Sequence, residues 1–550
     1  MTTARRGRAN AGEPSAPRRL GELIERLEAG GRLRTVVLAE PGVDGRSEAP
    51  GSLMVRGVTF DSRRVPAGSI FVAIPGAHSD GHDFIVAAAA LGAAAAIVER
   101  PFPGALLPQI VVDDARRALA TAAAWWYGDP SLELGVVGIT GTDGKTTTSF
   151  LATAVLEAAG ISTGLITTAA RKVGRVPKPN AQHVTTPEAP ELQRTLRAMV
   201  EAGNTVAIVE TTSHGLALSR VADIAYDMAI FTNLTHEHLE LHGTYEAYRD
   251  AKLSLFRRLG EGIAGLRSTT TEKTLPRPWA KTAIINLDDD AAPQFASAAM
   301  DARARVITYG ESAGADVRGS NADEDARSLS FDVKTPRWSG RVRLQLAGRF
   351  NVGNALAAIA LGEALQIDPA AIRDGLAGVR GVPGRMERVD CGQPFGVIVD
   401  YAHSPASLRK VLELLAPVAV SSGGGLIAVF GSAGERDVQK RPMMGRIAGE
   451  LCRLVVVTDE DPRGEDSGAI LDQIAAGAEE AGKRRDEDLL CIADRRAAID
   501  AAFSRARPGD VVLLAGKGHE QSIIMSDGPL AWDERAEAVR ALAQLGYGGD

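Results

Sequence analysis

A chain of 550 residues, 45% hydrophobic and 24% charged, has the make-up of a soluble globular protein with room for three or more domains. Its formal net charge of −7 argues against nucleic acid or an anionic membrane as the main partner. The longest apolar run, Phe84 to Val98, is alanine-rich and too short to span a bilayer, and Arg5, Arg6 and Arg8 precede no apolar stretch of a secretory signal. Cys391, Cys452 and Cys491 lie far apart without metal-ligand spacing, and are expected to be reduced core residues of a cytoplasmic protein.

In chain order, residues 1–17 read as a disordered tail. A small N-terminal α/β domain, 18–133, is expected from a strand at Ile70 to Ile74, a helix at Phe84 to Leu91 and a further strand at Ile97-Val98. The stretch 134–380 repeats strand then helix. Its strands fall at Leu134 to Val137, Ala207 to Val209, Met228 to Phe231 and Thr282 to Ile285, the pattern of a parallel sheet with helices on both faces. Gly265 to Arg277, rich in threonine, reads as an exposed loop, and a helix from Asn354 to Ala364 leads to the turn Gly381-Val382-Pro383-Gly384. A third domain, 381–550, is expected to be Rossmann-like, with buried strands at Val397 to Val399, Leu426 to Phe430, Leu454 to Thr458 and Val511 to Leu514. The fold class is therefore α/β in three domains.

The most informative stretch is Gly138-Ile139-Thr140-Gly141-Thr142-Asp143-Gly144-Lys145-Thr146-Thr147-Thr148, set between a strand and a helix from Ser149 to Ala158. A glycine-rich turn there aims backbone N–H groups and a helix N-terminus at one point, where phosphate sits. Lys145 adds a charge for the β- and γ-phosphates, and the Thr146 hydroxyl reaches a magnesium ion. Strict Walker spacing is missed, because Ile139 stands in the first glycine's place and Gly138 lies one residue early. The pattern nonetheless predicts ATP binding. Glu210, in Val209-Glu210-Thr211-Thr212-Ser213-His214-Gly215, falls at the carboxyl end of a strand, and His238, in Thr235-His236-Glu237-His238-Leu239, follows the next one. Both are expected to converge beside the loop around a cation, although magnesium rarely takes imidazole.

These signatures, together with Tyr248-Arg249-Asp250-Ala251-Lys252, Gly348-Arg349-Phe350-Asn351, Pro383-Gly384-Arg385-Met386-Glu387-Arg388 and Asp400-Tyr401-Ala402-His403, resemble those of the Mur ligases in order. Those enzymes form amide bonds at the cost of ATP in peptidoglycan synthesis. Three further features are similar to the members that make UDP-N-acetylmuramoyl-tripeptide: Asp61-Ser62-Arg63, Thr185-Thr186-Pro187-Glu188 and Gly516-Lys517-Gly518-His519-Glu520. The resemblance implies a monomer whose three domains bind the UDP-substrate, ATP and an amino acid in turn, and an acyl-phosphate route. It implies ATP held by Gly141, Thr142, Asp143, Gly144, Lys145, Thr146 and Thr147, with Asn351 at adenine, Asp400 at the ribose and Arg385 near the phosphates. It implies two Mg2+ ions, one on Thr146 and Glu210 and one on Glu210 and His238, with a carbamylated Lys252 as or beside a ligand. Read from the sequence alone, Lys252 is a solvated helix lysine.

For the UDP-N-acetylmuramoyl dipeptide the resemblance implies Ser62 at the uridine, and Thr185, Thr186, Thr212 and Arg220 at the sugar-peptide. Thr212 replaces a usual serine, Leu218 stands where some members have glutamine, and Asp143 replaces a common asparagine. The amino-acid contacts are implied to be Arg436, Asp461, Arg463, Gly516 and Glu520. Arg463 suits the extra carboxylate of meso-diaminopimelate. Asp461, where diaminopimelate-adding members have asparagine, adds negative charge that leaves L-lysine or L-ornithine open. Rival readings are another amide ligase of the superfamily, such as a folylpolyglutamate synthetase, a non-catalytic ATP-binding subunit, and a plain P-loop ATPase.

Overall fold

The structure, a computed structural model, describes residues 11–14, 16–39, 49–76, 79–104, 106–180, 182, 184–235, 242–262, 279–324 and 328–548. Three sheets organise the chain. The middle one has 11 strands, and its parallel heart is formed by Thr163–Ile166, Val206–Glu210, Gly135–Thr140, Met228–Phe231, Thr282–Asn286 and Arg305–Gly310, in that spatial order. Gly135–Thr140, Val206–Glu210 and Met228–Phe231 are buried throughout, as strands covered on both faces must be, which is why they read as unbroken apolar runs. Helices Lys145–Ala158, Asn351–Ala364 and Pro369–Gly378 cover one face. Ala189–Glu201, Tyr245–Arg257 and Ala292–Asp301 cover the other.

From Gly135–Thr140 the chain first runs to strands on one side, then returns to Met228–Phe231 on the other. The order reverses at this central strand, and open parallel sheets bind ligands outside the carboxyl ends at such a point. An antiparallel extension, Val317–Glu324, Leu329–Lys334 and Ser339–Leu344, finishes one edge, and the hairpin Ala170–Val173 with Val176–Pro179 finishes the other. Neither was expected from the sequence.

The N-terminal sheet has five strands, with Gly57–Thr59, Ser69–Val72, Ala95–Val98 and Gln109–Val112 parallel and Leu33–Val37 antiparallel at one edge. Its expected alanine-rich helix is short, Ile85–Ala90. The C-terminal sheet has six, with Gly396–Asp400, Val511–Ala515, Leu426–Phe430, Leu454–Val457 and Leu489–Cys491 parallel. Between the second and third sheets the chain turns at Val382 and Arg385, which form an isolated bridge. Gly384 there has φ 63°, and a Cβ on it would come within 2.3 Å of the His519 backbone nitrogen. Only glycine lets the linker lie against the loop that carries Glu520.

Gly12 is buried and donates its N–H to Glu201 Oε2 at 2.9 Å, so the packed chain reaches into the segment expected to be a tail. Residues 1–10 and the loop Gly265 to Arg277 lie outside the described residues. Among the cysteines Cys452 is buried, Cys391 half-buried and Cys491 exposed, so the core expectation holds for one of them. No helix among the described residues is long and apolar enough to cross a membrane.

Candidate active site

The phosphate loop leaves the central strand at Thr140 and enters its helix at Lys145, with Gly144 as N-cap at φ 81°. A Cβ on Gly144 would meet Asn354 Oδ1 at 2.3 Å, and one on Gly141 would meet Thr232 Oγ1 at 1.9 Å. Both glycines are thus demanded by close approach. Asn233, which sequence reasoning missed, clamps the loop: its carbonyl accepts from Thr142 N at 2.8 Å, and its Oδ1 accepts from Asp143 N at 2.8 Å. Its only sequence signal is its place after a buried strand. Lys145 folds back, its Nζ donating to the carbonyls of Gly141 at 3.1 Å and Thr142 at 2.6 Å.

Glu210, the last residue of the neighbouring strand, is 1% exposed. Its Oε2 accepts from Thr146 Oγ1 at 3.0 Å and from Thr168 N at 3.1 Å, and Thr168 Oγ1 reaches its Oε1 at 3.2 Å. Thr168 was also missed, although it too follows a strand end. From it the hydroxyls continue to Thr185 Oγ1 at 2.8 Å. Thr186 Oγ1 donates to the Glu210 carbonyl at 2.9 Å and lies 3.0 Å from Thr212 Oγ1, while Arg220 Nη1 donates to the Thr186 carbonyl at 3.0 Å. Thr146 and Glu210, two of the residues expected at the metal, are therefore linked to the four expected at the sugar-peptide.

Lys252 is the largest departure from the residue-level reading. It is 1% exposed, not solvated, and its Nζ donates to the Gly141 carbonyl at 2.6 Å and lies 4.4 Å from the centre of the Tyr248 ring. His238 lies outside the described residues. His214 and His242 stand with ring centres 5.7 Å apart. Burial, then the neighbouring His242, lowers the His214 pKa, and burial, then Lys252, lowers that of His242. Among the described residues no group of three or more His, Cys, Asp or Glu side chains gathers to hold a metal. Glu210 with Thr146 is an oxygen set that fits magnesium, which takes one or two carboxylates beside phosphates and water.

The loop opens into a cavity of about 2020 Å³ whose far wall belongs to the C-terminal domain. Asp400, ending Gly396–Asp400, accepts from Met386 N at 2.7 Å and Ala402 N at 2.9 Å, and burial raises its pKa despite the nearby Arg385. Arg385 lies 4.8 Å over the Tyr401 ring. Asn351 lines the cavity with its amide engaged locally, donating to the Ala347 carbonyl at 2.7 Å and accepting from Asn354 at 2.9 Å. Ser62 sits in a turn of the N-terminal domain and is not among the residues that line this cavity.

Arg436, Glu460, Asp461, Arg463 and Glu520 line the same cavity from loops that follow three parallel strands, while Gly516 packs directly against Glu460. The expected role of Asp461 as a free negative charge fails here. Its Oδ1 accepts from the fully buried Lys517 Nζ at 2.7 Å and from Ile524 N at 2.9 Å, which holds its segment to the strand Ser522–Met525, and the same Lys517 Nζ also pairs with Glu520 Oε2. Glu460 is different. It is 6% exposed, and its Oε2 is buried without a hydrogen-bond partner. Arg463 adopts φ 58°, fixed by its N–H on the Ile524 carbonyl at 2.9 Å, and its Nε is likewise unpartnered.

A phosphate loop at one sheet's reversal point, facing a second parallel-sheet domain across a shared cavity, defines a nucleotide-dependent enzyme that brings two substrates together. Family models match three stretches: residues 54–127 as "Mur ligase family, catalytic domain", 139–362 as "Mur ligase middle domain" and 384–518 as "Mur ligase, glutamate ligase domain". A UDP-N-acetylmuramyl-tripeptide synthetase of Roseiflexus sp. (strain RS-1) is 49% identical over 499 residues, 90% of this chain and 96% of its own. A UDP-N-acetylmuramoyl-L-alanyl-D-glutamate--2,6-diaminopimelate ligase of Geobacter metallireducens is 41% identical over 522 residues, 92% and 97% of the two chains. A solved structure of a ligase of the latter name superposes with a TM-score of 0.61 at 30% identity, covering 91% of this chain and 97% of its own. The chain belongs to the Mur ligase family, the ATP-dependent amide ligases.

Proposed function

We propose that this ligase adds meso-diaminopimelate to UDP-N-acetylmuramoyl-L-alanyl-D-glutamate, forming the tripeptide of peptidoglycan synthesis with release of ADP and phosphate. The observation that carries the choice of amino acid is the charge pattern of the pocket. Arg436 and Arg463 form no ion pair with a side chain among the described residues, and Glu460, which lines the same cavity, has a buried carboxylate oxygen without a hydrogen-bond partner. Two guanidinium groups suit the two carboxylates of diaminopimelate, and Glu460 suits its distal ammonium. Lysine and ornithine have one carboxylate each. The reason for preferring them, a negative charge at Asp461, is weakened by its ion pair with Lys517, an ammonium that Glu520 shares. The name of the relative from Geobacter metallireducens includes diaminopimelate, whereas that of the relative from Roseiflexus names only the tripeptide.

In this reading the D-glutamate γ-carboxylate attacks the γ-phosphorus of ATP, ADP leaves, and the amine then displaces phosphate from the acyl phosphate, losing a proton. Lys145 exchanges its loop carbonyls for phosphate oxygens, and the backbone amides from Gly144 to Thr147 take the rest of the charge, those of Thr142 and Asp143 being held by Asn233. Magnesium would be held by Thr146 and Glu210, with His238 as a further ligand and a carbamylated Lys252 as or beside one, and would supply neutralising charge. Asn351, Asp400 and Arg385 hold the nucleoside side. Thr185, Thr186, Thr212 and Arg220 hold the sugar-peptide, and Ser62 the uridine. Glu520 and Gly516 complete the amino-acid pocket. The enzyme works as a cytoplasmic monomer.

The test is a phosphate-release and product-mass assay with the UDP-dipeptide, ATP and magnesium, offering meso-diaminopimelate, L-lysine or L-ornithine in parallel. Diaminopimelate is expected to give product at the highest kcat/KM. Product with lysine or ornithine alone would overturn the two-arginine reading, and no product with any of them would overturn the tripeptide assignment.

A further inference from the structure

The phosphate loop carries one acidic side chain, Asp143, at the place where a polyanion is to bind. Its backbone leaves it little freedom. The N–H is held by Asn233 Oδ1 at 2.8 Å, and the carbonyl accepts from Thr232 Oγ1 at 2.6 Å and Asn233 Nδ2 at 3.2 Å. The carboxylate therefore projects out of the central domain, and across the cavity it meets Lys410 Nζ at 3.2 Å. Lys410 belongs to the C-terminal domain, on helix Pro405–Ser421, which starts at a capping box formed by Ser404 and Ser407 just after Asp400-Tyr401-Ala402-His403. The same ammonium lies 6.0 Å from the centre of the Phe350 ring, which adjoins Asn351. Lys410 thus stands over the nucleotide side of the cavity, between the loop and Asn351.

A half-exposed ion pair adds little to stability, so stability does not account for this one. Its place does. Without a cation, Asp143 would repel the phosphates that the rest of the loop attracts. With Lys410 opposite, the acid becomes a foothold for the C-terminal domain. We propose that Lys410 is a positioning residue for ATP: it neutralises Asp143 and seats the C-terminal domain on the phosphate loop, so that nucleotide binding and domain docking share one contact. This inference rests on the reading that the loop binds ATP.

The experiment is a double-substitution cycle on the full chain, reading the Kd of a fluorescent ATP analogue with magnesium and, separately, KM for ATP and kcat in ligation. With Asp143 present, Lys410→Met should weaken analogue binding about fivefold, the upper end for an exposed pair. It should raise KM for ATP alongside. In the Asp143→Asn background the same change should cost less than about twofold, because the repulsion it exposes is gone. Lys410→Arg should bind as the parent does. The fivefold effect should shrink as salt rises from about 0.05 to 0.5 M, since exposed charges are screened. Equal effects of Lys410→Met in both backgrounds, no effect in either, or an effect indifferent to salt would each overturn the proposal. Because analogue binding needs no amino acid, loss of the ligation reading and loss of this one are seen separately.

Discussion

Where the N-terminal domain meets the central one, Arg26, already held within its own domain by Asp129 at 2.8 and 2.9 Å, and Arg32 reach the buried Asp223 of the central domain at 3.5 and 2.9 Å. Arg197 of the central domain adds bonds to the carbonyls of Tyr127 and Gly128. Where the C-terminal domain meets the central one, a cavity of about 2020 Å³ intervenes, and a half-exposed pair, Lys410 with Asp143, crosses it. Buried charges of opposite sign fix one arrangement, since separating them strands each in a poor solvent. Exposed ones are exchanged with water at little cost. The first seam makes two domains into one body, and the second leaves room for chemistry.

That contrast can be broken at either seam. Lys145→Ala should cut turnover by about 1000-fold or more, because the transferring phosphoryl group loses its main side-chain partner. The melting temperature should stay within about a degree or two, as expected for a residue on the open side. Asp223→Ala should do the reverse, lowering unfolding free energy by about 3 kcal/mol in a denaturant titration while KM for ATP holds, because Arg32 loses its carboxylate partner and Arg26 keeps only Asp129. Arg463→Ala should raise KM for diaminopimelate about 50-fold, the worth of a charge-assisted bond, and leave KM for ATP unchanged. A parallel rise in both constants would mean that the open seam is less divided than its geometry says.

The smallest effect concerns pH. Burial, with Arg385 adding to it, pulls the His519 pKa down from 6.5 to about 3, so the imidazole is neutral in the folded protein. Below pH 6.5 the unfolded chain takes up a proton that the folded one refuses. Stability is therefore fully present above that value and is lost as pH falls towards 3, by at most about 1.4 kcal/mol per pH unit. His519→Gln should flatten this limb in denaturant titrations between pH 6 and 4, whereas an unchanged slope would assign it to other groups.

The parallel strands were legible because burial on both faces leaves apolar runs that punctuate themselves, as at Met228–Phe231 and Leu426–Phe430. The antiparallel strand Val317–Glu324 was not, because it carries Arg, Asn, Asp and Glu with its far end in solvent. The phosphate loop was legible because its chemistry is contiguous. Asp461 was misread for the opposite reason: its counter-charge, Lys517, lies 56 residues away, and a charge counted without its partner has the wrong meaning. Lys252 was misread likewise, since its burial against Gly141 spans 111 residues and nothing in its own helix announces it.

The linker glycine has a further consequence. Because Gly384 lies against the backbone of His519, the pivot between central and C-terminal domains and the loop bearing Glu520 are a single knot of chain. A door moves least beside its hinge. A rotation of the C-terminal domain about this linker would shift Glu520 least, because its loop is packed against the pivot.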